Sequence, residues 1–298
     1  MKKVLVHVGY PKAASTTLQN GLFLDLHKQK LINFLGRAFE SRYFGALDSK
    51  SKFKGWFKAV IKDRHDLDPP APLSDSLVNV LSEGLFMMNE RHGAGFMTPG
   101  QLRSYFSSRA DQLDVLLVLR AQSNLVPSYY VQNYRRFQQT TFEAFVEYNS
   151  ARQWAGEGKV FNFRDVARAF AATLGKQHVH LLLFEDFVQD RPYFSTALGE
   201  IMQLPRERIL ANLGEGHMNR TPREEGVLLV RKLDKRSWRH HAIKLLGRFN
   251  LGESLKIKLP PISAEQKQAI FEVFKGSNEE LAAEFSLDRE RMRRYRYF

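Results

Sequence analysis

The sequence predicts an α/β fold: a central parallel β-sheet flanked by helices on both faces, with a largely helical C-terminal part. Three observations point to it. Short apolar runs such as Val4-Leu5-Val6-His7-Val8 and Val115-Leu116-Leu117-Val118-Leu119 are continuous rather than alternating, as in strands buried on both faces. Stretches of helical periodicity lie between these runs, the alternation that builds a parallel sheet. Finally, three of the runs end abruptly at a residue that can do chemistry: Lys12, Glu83 and Arg120.

Taken in order, the first strand spans Lys3 to Val8. Residues 15–29 follow as a helix, with Leu18, Leu22 and Leu26 on one stripe and Phe23 widening it. Residues 31–68, rich in Phe, Arg and Lys, read as short helices, with Phe53, Trp56 and Phe57 as either a ligand-facing wall or core. Pro69-Pro70-Ala71-Pro72 marks a turn. Leu77-Val78-Asn79-Val80-Leu81 is a buried strand that ends at Ser82-Glu83, and residues 84–100 form a glycine-rich loop. A helix over 100–110 leads to the strand Val115–Leu119, bounded by Arg120. Residues 124–138 read as a helix, with Pro127 tolerable in its first turn. Phe161 to Leu174 is amphipathic, and His178 to Phe184 is a strand ending at Glu185-Asp186. From about residue 188 the chain reads as mostly helical, including a capped helix that starts near Ser263 with Glu265 in its first turn.

Composition narrows the function classes. The 298 residues suffice for one large domain, and no linker divides them, so a single domain over 1–298 is expected. A hydrophobic share of 43% suits an ordinary core, and no apolar run reaches the roughly 18 residues of a membrane span. Met1-Lys2-Lys3 is followed by too short an apolar stretch for a signal peptide, so a cytoplasmic location is expected. With no cysteine, disulfides and thiolate catalysis are excluded. The histidines show no metal-ligand spacing, so no metal site is expected. A net charge of +13 attracts polyanions. Arg289, Arg291, Arg293, Arg294 and Arg296 crowd the last residues, as an anion-attracting feature or as a solvated tail.

The most informative stretch is Gly9-Tyr10-Pro11-Lys12-Ala13-Ala14-Ser15-Thr16-Thr17-Leu18, directly after the first strand. A helix start leaves N–H groups without partners and carries partial positive charge, so it attracts anions. Lys12 adds a full charge and the three hydroxyls add donors. The order is not a Walker A loop, because the lysine precedes the hydroxyls and no glycine follows until Gly21. In open parallel sheets ligands sit beyond the carboxyl ends of the strands, which would gather Lys12, Glu83 and Arg120 on one rim. Arg120 can grip a phosphate through two hydrogen bonds, and Ser128 is positioned to complete that cradle, with Gln132 and Arg135 on its helix face.

Pro11-Lys12-x-x-Ser15-Thr16-Thr17-Leu18 resembles the 5′-phosphosulfate loop of sulfotransferases that use 3′-phosphoadenosine 5′-phosphosulfate, and Val118-Leu119-Arg120 with Ser128 and Tyr130 resembles their 3′-phosphate element. Leu81-Ser82-Glu83-Gly84-Leu85, Leu183-Phe184-Glu185-Asp186-Phe187 and Ser277-Asn278-Glu279-Glu280-Leu281 are similar to segments of bacterial and carbohydrate-type members. The polar loop Gly214 to Thr221 is similar to another, and Arg220 within it is a candidate to reach the nucleotide. Ala14 departs from the family, where glycine is common.

The resemblance implies a three-layer fold like that of P-loop nucleoside triphosphatases. It also implies sulfuryl transfer to a hydroxyl or amine, on a carbohydrate or glycolipid, without a metal. Under this reading Lys12 stabilises the leaving oxygen. Pro11, Lys12, Ala13, Ala14, Ser15, Thr16 and Thr17 hold the 5′ end, and Arg120 and Ser128 hold the 3′-phosphate. Glu83 is the first candidate for the base, with His92 and His217 in reserve; His7 reads as core, and His178 and His180 as facing the other side of their strand. No nucleic acid is expected as partner. Two alternatives remain at this level: a P-loop-type nucleotide kinase, and a non-catalytic polyanion-binding protein.

Overall fold

In the computed structural model, which describes residues 1–10, 12–35, 72–83, 99–133, 141–154, 156–214, 227–228, 256–257 and 262–298, strand β1 (Lys3–Val8) runs through the middle of a five-stranded parallel sheet. Every residue of β1 is buried, which is why its sequence is a continuous apolar run. β2 (Asn33–Phe34) lies at one edge beside β3 (Asn79–Glu83), which pairs with β1. On the other side β1 pairs with β4 (Gln112–Leu119), and β4 with β5 (Val179–Leu183). The strand order is β2-β3-β1-β4-β5. A separate antiparallel pair joins Val227–Leu228 to Lys256–Ile257.

Helix α1 runs through three consecutive pieces, Ser15–Thr17, a π-helical Leu18–Phe23 and Leu24–Lys28. Then come α2 (Pro99–Phe106), α3 (Gln122–Asn133), α4 (Phe142–Ala151) and α5 (Phe163–Leu174). After β5 follow α6 (Phe184–Gln189), α7 (Arg191–Met202), α8 (Arg206–Asn212), α9 (Ala264–Glu284) and α10 (Arg289–Arg294). The chain leaves β1 toward β2 and β3, then crosses back to β4 and β5. Right-handed crossovers in opposite directions put their helices on opposite faces of the sheet. Accordingly α8 packs on α1 and on α7, whereas α2 packs on α5, and α9 packs on α3 and α5. The result is the three-layer α/β architecture that the strand pattern predicts.

Several boundaries differ from the sequence reading. Within the described part of residues 31–68, Asn33 and Phe34 form a strand rather than a helix. The Asn33 amide donates to Asn79 Oδ1 at 2.7 Å and to the Pro72 carbonyl at 2.8 Å, tying it to the sheet. β3 begins at Asn79, two residues later than read, and ends at Glu83 as expected. β4 starts earlier, at Gln112, because the buried Asp114 inside it is paired with Lys3 Nζ at 3.2 Å and His178 Nδ1 at 2.7 Å. α3 begins at Gln122, so Pro127 lies beyond the first turn, and its missing N–H removes one helix hydrogen bond. β5 loses both ends: His178 closes a 3-10 turn after Gly175, and Phe184 opens α6. α9 begins as expected, with Ser263 and Gln266 in a reciprocal capping box.

The arginine-rich end is not a solvated tail. Arg291 bridges Asp186 at 2.8 Å and Asp190 at 2.9 Å and lies over the Tyr193 ring, while Met292, Tyr295, Tyr297 and Phe298 are buried. At the opposite, amino edge of the sheet, His178 and His180 both face Asp114, away from the rim where the strands end.

Candidate functional site

The chain turns sharply after β1. The Tyr10 side chain is fully buried and meets the Phe163 ring edge-on at 5.2 Å, anchoring the start of the loop. Lys12 and Ala14 both take left-handed backbone conformations, with φ of 63° and 59°. For residues bearing a Cβ this is strained, and such strain collects at ligand sites. The loop is braced against it. The Ser15 hydroxyl donates to the Tyr10 carbonyl at 2.8 Å, and the Ala13 N–H donates to the same oxygen at 3.4 Å. Among the described residues no side chain caps the start of α1, so its first-turn N–H groups are offered to the loop side. Of the three hydroxyls, Ser15 has its proton engaged within the loop, Thr16 is exposed and Thr17 is half-buried.

The pairing register explains how Arg120 arrives here. His7 lies opposite Leu116, so Arg120, four residues beyond Leu116, comes level with the loop four residues beyond His7. Its Nη1 donates to the Lys12 carbonyl at 2.9 Å, and its guanidinium lies 4.9 Å from the centre of the Phe184 ring. Burial and the Arg120 charge both push the Lys12 ammonium below its ordinary range. Among the described residues no carboxylate pairs with Lys12. Two cations gathered at a strand-end rim, one beside an uncapped helix start, suit a multiply charged anion.

The other candidates fall out as follows. Ser128 is buried on α3 at 6% exposure. Glu83 is the last residue of β3, opposite Val8, so its backbone lies at the same carboxyl edge as the loop. The Glu83 side chain lies outside the described residues, as do Pro11, Arg220, His92, His217, Arg135, Phe53, Trp56 and Phe57. His7 is core, as its sequence context implies. Its Nδ1 is 2.6 Å from Ser82 Oγ, which also accepts from Gln19 Nε2 at 2.9 Å, and burial lowers His7 to about 3.

A buried polar lattice behind Arg120 was only partly legible. The Ala121 N–H donates to Glu185 Oε1 at 3.1 Å, and the Tyr297 hydroxyl donates to Glu185 Oε2 at 2.8 Å. Gln122 and Asn278 exchange amide hydrogen bonds at 3.1 and 2.9 Å. Glu185 is visible in the sequence as the acid at the end of the run His178 to Phe184. Nothing local marks Tyr297, whose partner is 112 positions away.

No family model matches the chain, and neither does any curated protein. Among solved structures, a sulfotransferase from Alicyclobacillus acidocaldarius is similar over 98% of this chain and 99% of its own, at 12% identity and a TM-score of 0.47.

Proposed function

We propose that this chain is a sulfotransferase that moves a sulfuryl group from 3′-phosphoadenosine 5′-phosphosulfate to an acceptor hydroxyl or amine, with a carbohydrate or glycolipid as the favoured acceptor class. The carrying observation is the pair Lys12 and Arg120, joined by the 2.9 Å hydrogen bond across the ends of β1 and β4. A donor phosphorylated at both the 5′ and 3′ positions needs cations at two points, and this rim offers two. The bound donor would bring an activated sulfuryl group on a phosphate oxygen.

In this reading the N–H groups from Ala14 to Thr17 hold the 5′ end, with Thr16 and Thr17 adding hydroxyl donors, while the Ala13 N–H braces the loop on the Tyr10 carbonyl. Pro11 shapes the turn. Ser15 braces the loop by donating its proton to the Tyr10 carbonyl. Lys12 lies at the oxygen that gains charge as the sulfuryl group leaves. Arg120 and Ser128 take the 3′-phosphate, and Arg220 extends that grip. Glu83 accepts the acceptor's proton from the carboxyl edge of β3. The protein works as one domain in the cytoplasm. Among the described residues, no helix is long and apolar enough to cross a membrane.

The test is transfer of labelled sulfate from the donor to a panel of sugars and amines, with calorimetry against adenosine 3′,5′-bisphosphate. Lys12→Ala should lower the transfer rate about 10²–10³-fold, the usual effect of removing one preorganised donor. Equal turnover by the variant would remove Lys12 from the chemistry. Thermal stabilisation by ATP with magnesium, and none by the bisphosphate, would replace this reading with a kinase.

A further inference from the structure

Arg120 is held by more than its own contacts. The peptide joining Arg120 to Ala121 is fixed in plane by the Ala121 N–H bond to Glu185 Oε1. Glu185 cannot turn away, because the Tyr297 hydroxyl donates to its other oxygen at 2.8 Å. Tyr297 is fixed in turn: Asn278 Nδ2 donates to its carbonyl at 2.9 Å, and Asn278 is tied to Gln122, two residues after Arg120. Gln122 also donates to the Phe161 carbonyl at 3.1 Å. Glu185, Gln122, Asn278 and Tyr297 are all buried.

The same tyrosine reaches the other arm of the site. Its ring lies 6.4 Å from Phe163, which meets Tyr10 at the start of the lysine loop. A buried carboxylate is a costly way to hold a strand end when apolar packing would serve. Burial raises Glu185 above the ordinary carboxylate range. What the carboxylate adds is direction: it orients a single peptide, next to the arginine that meets the ligand.

We propose that Tyr297, acting through Glu185, is a positioning residue that sets the pose of Arg120 and so the recognition of the 3′-phosphate of the nucleotide. This rests on the reading that Arg120 holds that phosphate. Tyr297 touches no ligand; its effect passes through the Glu185 carboxylate and the Ala121 peptide.

The experiment compares adenosine 3′,5′-bisphosphate with adenosine 5′-phosphate, by calorimetry on the full chain. The variants are Tyr297→Phe, Arg120→Ala and the two combined. Tyr297→Phe should weaken the bisphosphate about five- to tenfold, the scale of one ordinary intramolecular hydrogen bond. It should leave the monophosphate unchanged, and it should add no further loss once Arg120 is gone. Equal weakening of both nucleotides, or no weakening of either, overturns the positioning role. A preference for the bisphosphate lost in Arg120→Ala but kept in Tyr297→Phe overturns this inference and spares the function. A wild-type chain with no such preference overturns the reading beneath it and this inference with it. Glu185→Met combined with Tyr297→Phe is a second route should Tyr297→Phe alone not fold, since replacing both partners of a buried polar pair by apolar groups is often neutral for folding. It should show the same selective loss, and full retention of the preference there overturns the proposal.

Discussion

At the scale of single residues, the lysine loop shows why sequence and geometry must be read together. The order of Lys12 and the hydroxyls was visible at once, because the motif is contiguous. That Lys12 and Ala14 both bend left-handed was not, since alanine gives no local sign of positive φ. The backbone now explains why glycine would suit position 14. Ala14→Gly should raise stability by roughly 0.5–1 kcal/mol, as relief of left-handed strain outweighs the added freedom of the unfolded chain. Thermal melting checks this; a lower melting point would mean that the alanine methyl group is packed favourably. Arg120 was marked by its place at the end of an apolar run. Its bond to the Lys12 carbonyl spans 108 positions and needs the β1–β4 register.

At the scale of elements, strands in the centre of the sheet were read most easily. β1 and β4 are buried on both faces, so apolar continuity is itself the signal. The two-residue β2 was missed because Asn33 and Phe34 are extended only through pairing with Asn79 and Val80. His178 and Phe184 were misjudged for the converse reason: their neighbours are strand-like, but Gly175 and α6 claim the ends. The turn from α7 to α8 depends on a glycine that no periodicity picks out. A Cβ at Gly199 would stand 2.7 Å from the Leu204 carbonyl oxygen, a backbone atom that cannot simply rotate away. Gly199→Ala should cost about 1–3 kcal/mol by forcing the two helices apart. The midpoint of urea unfolding reads this, and an unchanged midpoint would show that the turn yields freely.

At the scale of the whole molecule, charge is arranged at both edges of the sheet. The carboxyl edge gathers Lys12 and Arg120, and the amino edge buries Asp114 among His180, His178 and Lys3. Burial alone would raise the Asp114 carboxyl, but its partners outweigh burial and hold it at about 2, below the ordinary 3.8. Its contribution to stability is therefore complete above pH 3.8 and is lost as pH falls through about 2. Asp114→Asn should lower stability at neutral pH by on the order of 2–4 kcal/mol, because Lys3 is left buried without its carboxylate. It should also flatten the loss of stability on acidification. Unfolding followed by circular dichroism across this range checks both, and an acid limb as steep as in the wild type would assign the pH dependence to other carboxylates.

The sequence alone determined the α/β class, the central strands and the two cation-bearing turns, because each is written in contiguous residues whose pattern reports burial or local turn chemistry. Only the tertiary structure decided that these turns meet, that the arginine-rich end is tied down on Asp186 and Asp190, and that Tyr297 braces the strand end beside Arg120. The physical reason is separation along the chain. A hydrogen bond between residues more than a hundred positions apart leaves no periodic trace in either segment, and it exists only once the sheet has fixed the register that brings its partners together.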